Sequence, residues 1–506
     1  MNIFLRTKTM KHFKRTALAS VINLALFGIP DAHAADTEAL ERRVRELESR
    51  LEKLDQAAAL ANKPVAATPD VEKLTRKVNT LERKLEVQDE VTTGALQKLP
   101  VFEAGEGGFK ISSSDKKHQV RIRGAVQTDG RFYIGDNGFT GTDKFELKQG
   151  RVWLEGYFFK DIYFKIMPDF AASSNILPDA YLDYAYHPAA SLLVGKFKPS
   201  ISLERLQGDS DGTFLERAFP TYLASNRDVG IQLHGAFSKP GYAAEKVAGP
   251  IDTKNTFTYQ IGVSNGSGDD GSPNNNSPDT DDNKEVNGRL FAHPFHHTGY
   301  SWLEGLGLGV AGSVGNPNKQ ALKAQATPLG RSTYLDYSKV NAGFAAPTSD
   351  GATYRIYPQA YWFAGPFGAI GEYVVSSQHL VSGKTDVQQN NKAWQFLASY
   401  VLTGEDNSFA GVKPIQNFDP LKGNWGALQL AARYSELDVD NDTFQIVDPN
   451  LSASKAKAWT IGANWYLNSN AVIRADYENV SFDGGAAKGK DLANEQVFAT
   501  RFQLSF

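Results

Sequence analysis

The chain predicts an all-β protein, a 16-stranded transmembrane outer-membrane β-barrel with an N-terminal α-helical coiled-coil extension. Three observations carry that expectation. Beyond residue 119, apolar and polar residues alternate with period two, as in strands with one apolar and one polar face. An export signal opens the chain, yet no later stretch holds about eighteen consecutive apolar residues, which leaves strands to cross a membrane. Connections between the alternating segments tend to be short on one side and long on the other.

Residues 1–34 read as a signal peptide. Arg6, Lys8, Lys11, Lys14 and Arg15 form a basic start, Ala17 to Ile29 an apolar run, and Ala32-His33-Ala34 the small residues before cleavage. The apolar run is thirteen residues and contains Asn23, too short to span a bilayer. The exported chain has no cysteine, which removes disulfide frameworks, thiolate metal sites and thiol catalysis. Its net charge of −3 gives no basic footprint for nucleic acid.

Residues 35–91 form the coiled-coil extension. Leu40, Val44, Leu47, Leu51 and Leu54 recur at heptad spacing. Val71, Leu74, Val78, Leu81 and Leu85 repeat the pattern after a break at Pro64 and Pro69. Each segment is only two or three heptads long and needs oligomerisation elsewhere to support it. Residues 92–118 read as a linker, and 119–506 as the barrel.

The first barrel segment shows the alternation most plainly. Val120, Ile122, Gly124, Val126 and Phe132 oppose Arg121, Arg123, Gln127, Asp129 and Arg131. Sixteen such segments begin near residues 119, 143, 161, 179, 190, 228, 254, 285, 303, 351, 366, 391, 424, 456, 470 and 494. Each takes roughly 24 residues with its connection, against about ten for a tilted spanning strand. Aromatic residues near segment ends (Tyr186, Trp394, Trp459, Trp465, Phe506) suit an interfacial girdle rather than a sandwich core. Sixteen strands leave an aqueous channel lined by the charged face.

By that alternation the lumen candidates are Arg121, Arg123, Arg131, Lys165, Lys196, Lys198, Arg289, Arg355, Arg433, Arg474 and Arg501. They oppose six acids, Glu155, Asp169, Asp183, Glu372, Asp476 and Glu478, so the face favours anions. Arg121 with Arg123, and Lys196 with Lys198, form i, i+2 pairs assigned to one face. Between the fifth and sixth segments lies a connection of about thirty residues, long for a compact protein and carrying apolar residues that need burial. Folded into the lumen it would narrow the channel, and it carries Arg205, Asp209, Asp211, Arg217 and Arg227. Arg205 and Arg217, next to Glu204 and Glu216, serve equally as pins to the wall.

Catalytic and metal motifs are weak. Gly262-Val263-Ser264-Asn265-Gly266 matches a nucleophile elbow, but a polar loop follows where the motif needs a helix. Asp279 to Glu285 is acidic, but Lys284 stands where a calcium loop requires glycine. No enzyme activity, cofactor or metal is expected.

The barrel region resembles the phosphate-selective porin O and P family of Gram-negative outer membranes. The resemblance rests on Gly150-Arg151-Val152-Trp153-Leu154-Glu155-Gly156, Leu177-Pro178-Asp179-Ala180-Tyr181-Leu182-Asp183-Tyr184 and Thr213-Phe214-Leu215-Glu216-Arg217. Arg227-Asp228-Val229-Gly230, Leu402-Thr403-Gly404-Glu405, Arg433-Tyr434-Ser435-Glu436-Leu437-Asp438 and the terminal Phe506 extend it. It implies a homotrimeric outer-membrane porin passing small anions, phosphate or polyphosphate, past an inward-folded loop. It also implies outer-membrane lipid around the barrel and engagement of the barrel-assembly machinery through Phe506. Phosphate-selecting members carry lysine on that loop, whereas Leu206-Gln207-Gly208-Asp209-Ser210-Asp211-Gly212 has two aspartates and no lysine. The alternative is an envelope-tethering structural protein whose coiled coil does the work and whose barrel is an anchor.

Overall fold

The computed structural model describes residues 99–506 except 136–140, 172–176, 239–254 and 267–280, together with 76–87 and scattered positions from 42 to 73. The signal peptide and the apolar positions of the first heptad segment lie outside the described residues. Residues 76–87 are helical, with Val78 buried and Leu81 and Leu85 half-buried along one stripe. The chain divides into two units, Met1–Leu99 and Pro100–Phe506.

The second unit is a closed antiparallel barrel of sixteen strands. They are β1 (Gln119–Tyr133), β2 (Lys144–Phe158), β3 (Ile162–Met167), β4 (Asp179–His187), β5 (Ala190–Phe197) and β6 (Asp228–Phe237). Next come β7 (Phe257–Ser264), β8 (Glu285–Ala292), β9 (Leu306–Gly315), β10 (Thr353–Ala364) and β11 (Phe367–Ser382). The circuit ends with β12 (Thr385–Val401), β13 (Ala427–Asp438), β14 (Ala453–Tyr466), β15 (Ala471–Ala486) and β16 (Glu495–Ser505). Each strand pairs with its chain neighbour, and β16 returns to β1 from Val497 opposite Tyr133 to Ser505 opposite Ala125. Closure leaves the barrel no sheet edge to satisfy in lipid.

The expected strand starts agree within three residues except for the twelfth, which begins at Thr385 rather than near 391. β11 and β12 therefore form one tall hairpin joined through Gly383, whose φ of 62° suits glycine in a two-residue turn. The expected linker 92–118 also differs. Val101–Gly105 and Gly108–Ser112 pair as a hairpin, whose second strand adds to β1 with Phe109 opposite Ile122. The hairpin occupies the edge of β1 that β16, ending at Ser505, leaves open.

The two faces follow the alternation. Ile122, Val126, Leu182, Leu192, Val194, Ile231 and Leu233 are exposed on the outside, while Gln127, Asp129, Arg131, Gln149, Arg151, Asp183 and Gln232 are buried inside. Outside, apolar side chains meet lipid; inside, polar groups must find partners. A bulge opposite Gln127 and Thr128 inserts Lys148 as an extra residue in β2. It shifts the parity of β2, so that Glu146 and Gln149 both turn inward despite their odd separation. At the end carrying the long connections the interior is instead apolar. There Ile201, Phe219, Leu223, Tyr334, Leu335, Tyr337, Val439, Ile446 and Val447 form a core with inward residues of β10–β15.

Candidate functional site

The chain leaves β5 at Phe197 and rejoins the barrel at Asp228. Ser202 caps a single helical turn, Leu203–Leu206, by accepting from the Arg205 amide at 3.3 Å. Pro220 sits in the first turn of a 3-10 helix, Phe219–Leu223. Between them Leu203, Leu206, Phe214, Leu215 and Phe219 are buried, as their composition requires. The backbone of this segment bonds to inward-facing side chains of seven strands, beginning with Gln127 of β1, which donates to the Asp209 carbonyl at 3.2 Å. Gln359 of β10 donates to the Ile201 carbonyl at 2.8 Å, and the Glu204 amide donates to Glu372 of β11 at 3.2 Å. The Phe219 amide donates to Ser435 of β13 at 3.1 Å, and Asn464 of β14 donates to the Thr213 carbonyl at 2.9 Å. The Leu215 amide donates to Asp476 of β15 at 2.7 Å, while Arg501 of β16 donates to the Leu215 carbonyl at 2.9 Å.

Two ion-pair networks join the segment to the wall. The first centres on Asp209, which contacts Arg151 and Arg217 directly, Lys198 at 3.5 Å and Arg227 at 3.8 Å. Arg151 also reaches Asp169 at 2.7 Å, Arg227 reaches Asp179 at 2.6 Å, and Lys165 reaches Asp179 at 3.1 Å. Five basic groups share three carboxylates. The second centres on Glu216, which meets Arg331 at 2.5 Å, Lys148 at 2.9 Å, Arg131 at 3.3 Å and Arg501 at 3.9 Å. Arg331 and Arg131 also meet Glu146 at 2.9 and 3.3 Å, Lys144 meets it at 3.1 Å, and Arg501 meets Asp129 at 2.6 Å. Again five basic groups share three carboxylates.

The charge states follow from these surroundings. Burial pushes the Asp209 carboxyl up, but Lys198, Arg217, Arg151 and Arg227 more than offset it and hold it well below the usual range. Glu216 behaves the same way, with burial opposed and outweighed by Lys148, Arg331, Arg501 and Arg131. Asp211 goes the other way: burial raises it, against a weaker pull from Arg474 and Arg123.

The remaining sequence candidates fall into distinct places. Arg205 bonds within the segment, to Asn226 at 2.9 Å and the Thr221 carbonyl at 2.7 Å, and acts as an internal brace. Arg433 pins the segment through Glu204 at 3.2 Å and the Glu216 carbonyl at 2.9 Å, with Phe214 over its guanidinium at 4.5 Å. Arg474 donates to the Ser210 carbonyl at 2.8 Å and to Gln503 at 2.8 Å. Arg289 lies over Phe291 at 4.3 Å and donates to Gln359 at 2.9 Å. Arg355 pairs with Glu285 at 2.7 Å, and Arg123 sits 3.6 Å from Glu155. Arg121 donates to the Gly107 carbonyl at 2.7 Å, so it holds the N-terminal hairpin to β1.

Lys196 departs from expectation. In register with Ala180 and Val229, it shares the outer side of β5 with Leu192 and Val194. β5 ends at Phe197 and Pro199 follows, so strand alternation no longer governs Lys198, which turns to Asp209. The expected Lys196–Lys198 pair on one face is therefore not formed.

Sequence reasoning missed Lys144, Lys148, Arg151 and Arg331 among these basic groups. Arg151 lies in the Gly150–Gly156 motif, two residues from Trp153 on the inward side. The bulge at Lys148 and the reach of Arg331 from the 316–352 connection leave no local signal. On the side of Asp209 facing β3 and β4, a cavity of about 310 Å³ is lined by four basic groups, Arg151, Lys165, Lys198 and Arg227, and four aspartates, Asp179, Asp183, Asp209 and Asp211, with Trp153, Tyr181 and His234 among its other walls.

A closed sixteen-stranded barrel with a polar, ion-paired interior and an apolar exterior is the architecture of an outer-membrane porin, a channel rather than an enzyme. The family model for the phosphate-selective porin O and P family matches residues 120–506, and the chain belongs to that family. Porin O of Pseudomonas aeruginosa is 24% identical over 439 residues, covering 79% of this chain and 91% of that protein. Among solved structures, the outer membrane channel DcaP of Acinetobacter baumannii is 14% identical, covers 80% of this chain and 99% of its own, and has a TM-score of 0.48. The anion-selective porin from Comamonas acidovorans is 10% identical, covers 77% and 100%, and has a TM-score of 0.42. The protein resides in the outer membrane of a Gram-negative cell.

Proposed function

We propose that the channel passes small anions by passive diffusion, phosphate or polyphosphate among them, and that the 198–227 segment folds into the lumen and narrows it. One observation carries the anion reading. Both networks that tie the segment to the wall hold five basic groups against three carboxylates, a positive excess within each network, while Asp183, beside His234, and Asp211, whose carboxyl burial raises, also line the cavity next to the first. A positive excess attracts anions, and shared rather than dedicated carboxylates keep each site weak enough to release them. Arg151, Lys165, Lys198 and Arg227 line the cavity and are the groups an anion would meet; Arg205, Arg433 and Arg474 position the segment. The working unit is a homotrimer, exported with loss of residues 1–34 and carrying 35–91 as a periplasmic extension.

Reversal potentials across planar bilayers in a KCl gradient test this. Anion preference, with block by phosphate exceeding block by sulfate or organic anions, is the expected result. Cation preference would overturn the reading.

A further inference from the structure

The inner wall of β9–β12 carries one polar layer between apolar ones. Ser313, Arg355, Ser376 and Asn391 stand in register across the four strands and face inward. Gln378 and Gln389 form the next inward pair of β11 and β12. On one side of this layer lie Tyr357, Val374 and Ala393, and on the other Leu380 and Val387, all buried in the apolar core. Polar groups set in an apolar core cost stability unless each finds a partner. Part of the layer is satisfied: Gln378 donates to Gln389 at 2.7 Å, and Arg355 to Glu285 at 2.7 Å. The rest opens on a cavity of about 40 Å³.

The 316–352 connection builds the facing wall. Gln320–Ala321 pairs with Thr348–Ser349, which pairs in turn with Val381 and Leu380 of β11. Leu223 of the 198–227 segment also lines the cavity, at the end of the barrel that carries the long connections and faces outward from the cell. Two lining groups lack partners. The Ser349 hydroxyl and the Gln325 amide oxygen belong to residues 3% and 4% exposed and make no hydrogen bond among the described residues. Buried groups left so mark a place for a molecule that supplies the missing bonds.

Charge on the lining is three basic groups, Lys284, Lys323 and Arg355, against two acids, Asp281 and Glu285. Both acids are already answered. Asp281 accepts the backbone amides of Asn283 at 2.7 Å and Asn318 at 2.9 Å, and Glu285 accepts from Arg355 and, at 2.5 Å, from Ser225. Lys284 is exposed, within reach of an anion arriving from solvent.

We propose that this cavity binds the polyol end of a small phosphate ester, with the phosphate at Lys284 and Lys323. The remaining lining is mostly amides and hydroxyls, which give and take hydrogen bonds as a polyol does. An ionised phosphate oxygen only accepts, so it leaves the Gln325 oxygen unanswered, whereas a ligand hydroxyl donates to it. Room for about three water-sized groups suits a three-carbon polyol rather than a sugar ring. The phosphate rests on the anion reading above; the recognition of hydroxyls goes beyond it.

Current block in planar bilayers tests this on the full-length protein. The probes are glycerol 1-phosphate, propyl phosphate, which keeps three carbons without hydroxyls, and inorganic phosphate. Two hydrogen bonds to hydroxyls should let glycerol 1-phosphate block at roughly tenfold lower concentration than propyl phosphate. Ser349→Ala/Gln325→Met should bring the two esters within about twofold of each other. Retention of folded-barrel mobility on unheated gels is the folding control. Should the double variant not fold, Ser349→Ala, which breaks no hydrogen bond, should alone narrow the difference to roughly threefold. Equal block by the two esters in the wild type, or an unchanged difference in a folded variant, overturns this inference, while block by inorganic phosphate keeps the anion reading standing. No block by any of the three overturns both.

Discussion

Replacing Asp209 by asparagine removes the hub of the first network while keeping its shape. The side chain is 10% exposed, and four basic groups lie within 4 Å of it, at 3.5 Å for Lys198 and 3.8 Å for Arg227. At an effective dielectric of about 20, each of those two separations corresponds to roughly 4–5 kcal/mol before desolvation is subtracted. Desolvation takes back most of this, and removing one partner from a buried pair leaves a net loss of about 3–5 kcal/mol. With 1.4 kcal/mol per factor of ten, local opening of residues 203–213 should rise by roughly two to three and a half orders of magnitude.

Amide hydrogen exchange reads that opening. The Gln207 amide, bonded to the Leu203 carbonyl at 3.3 Å, and the Asp211 amide, bonded to Gly208 at 2.9 Å, report on the affected half of the segment. The Leu215 amide, held separately by Asp476, serves as an internal reference and should change little. The pH dependence has a definite sign. The Asp209 carboxyl is depressed by its cations, so its stabilisation is fully present above the ordinary carboxylate range and is lost only as pH falls through the depressed value. After correction for intrinsic exchange, the difference between wild type and Asp209→Asn should therefore stay constant from about pH 8 to 5. A difference below about threefold, or one that disappears across that range, would refute the assignment of Asp209 as the hub.

Three further predictions bear on the second network, on acid and on closure. Arg331→Ala removes contacts to Glu216 and Glu146 at 2.5 and 2.9 Å and leaves four basic groups against three carboxylates. Its reversal potential in a KCl gradient should shift toward cations, and its open-channel current should become noisier. Glu216, also depressed, keeps its stabilising effect above the ordinary carboxylate range and loses it only in stronger acid, so channel noise should be flat from about pH 8 to 5. A step within that range would place the controlling titration on another group. Phe506 exchanges backbone hydrogen bonds with Gly124 at 2.8 and 2.9 Å, and its ring covers the Gly124 α-carbon. Gly124→Val should cost about 1–3 kcal/mol by overpacking and raise the unfolded fraction on unheated gels.

The strand framework was legible because lipid outside and polar lumen inside impose opposite demands on alternate residues. Where those demands hold, as along β1, β5 and β16, the starts could be read to within a residue. They fail above the girdle. Thr385-Asp386-Val387-Gln388-Gln389-Asn390 has polar residues outward because no lipid meets them there, and β12 seemed to begin at 391 for that reason. The candidate site was legible as composition and illegible as partnership. Arg131 and Arg501 were on the right face by alternation, but both answer Glu216, 85 positions from the first, and each also meets Asp129. Lys196 was assigned to the lumen although alternation along β5 places it outward with Leu192 and Val194, and Lys148 was hidden by a bulge.

These partnerships change what the loop aspartates mean. Taken alone, two aspartates and no lysine in Leu206 to Gly212 argue against an anion path. In the fold Asp209 is spent on four cations drawn from β2 and from the segment itself, and burial raises Asp211. The charge beside the segment is then set by the stoichiometry of a network that includes the wall, and loop composition is a poor guide to it. Lysine on the loop is one way to leave a positive excess; Arg151 and Lys165 on β2 and β3, with Lys198 and Arg227 at its two ends, are another. A loop that must be pinned rigidly needs carboxylates for its arginines to grip. Asp209 meets that need at a point where the basic groups already outnumber the acids.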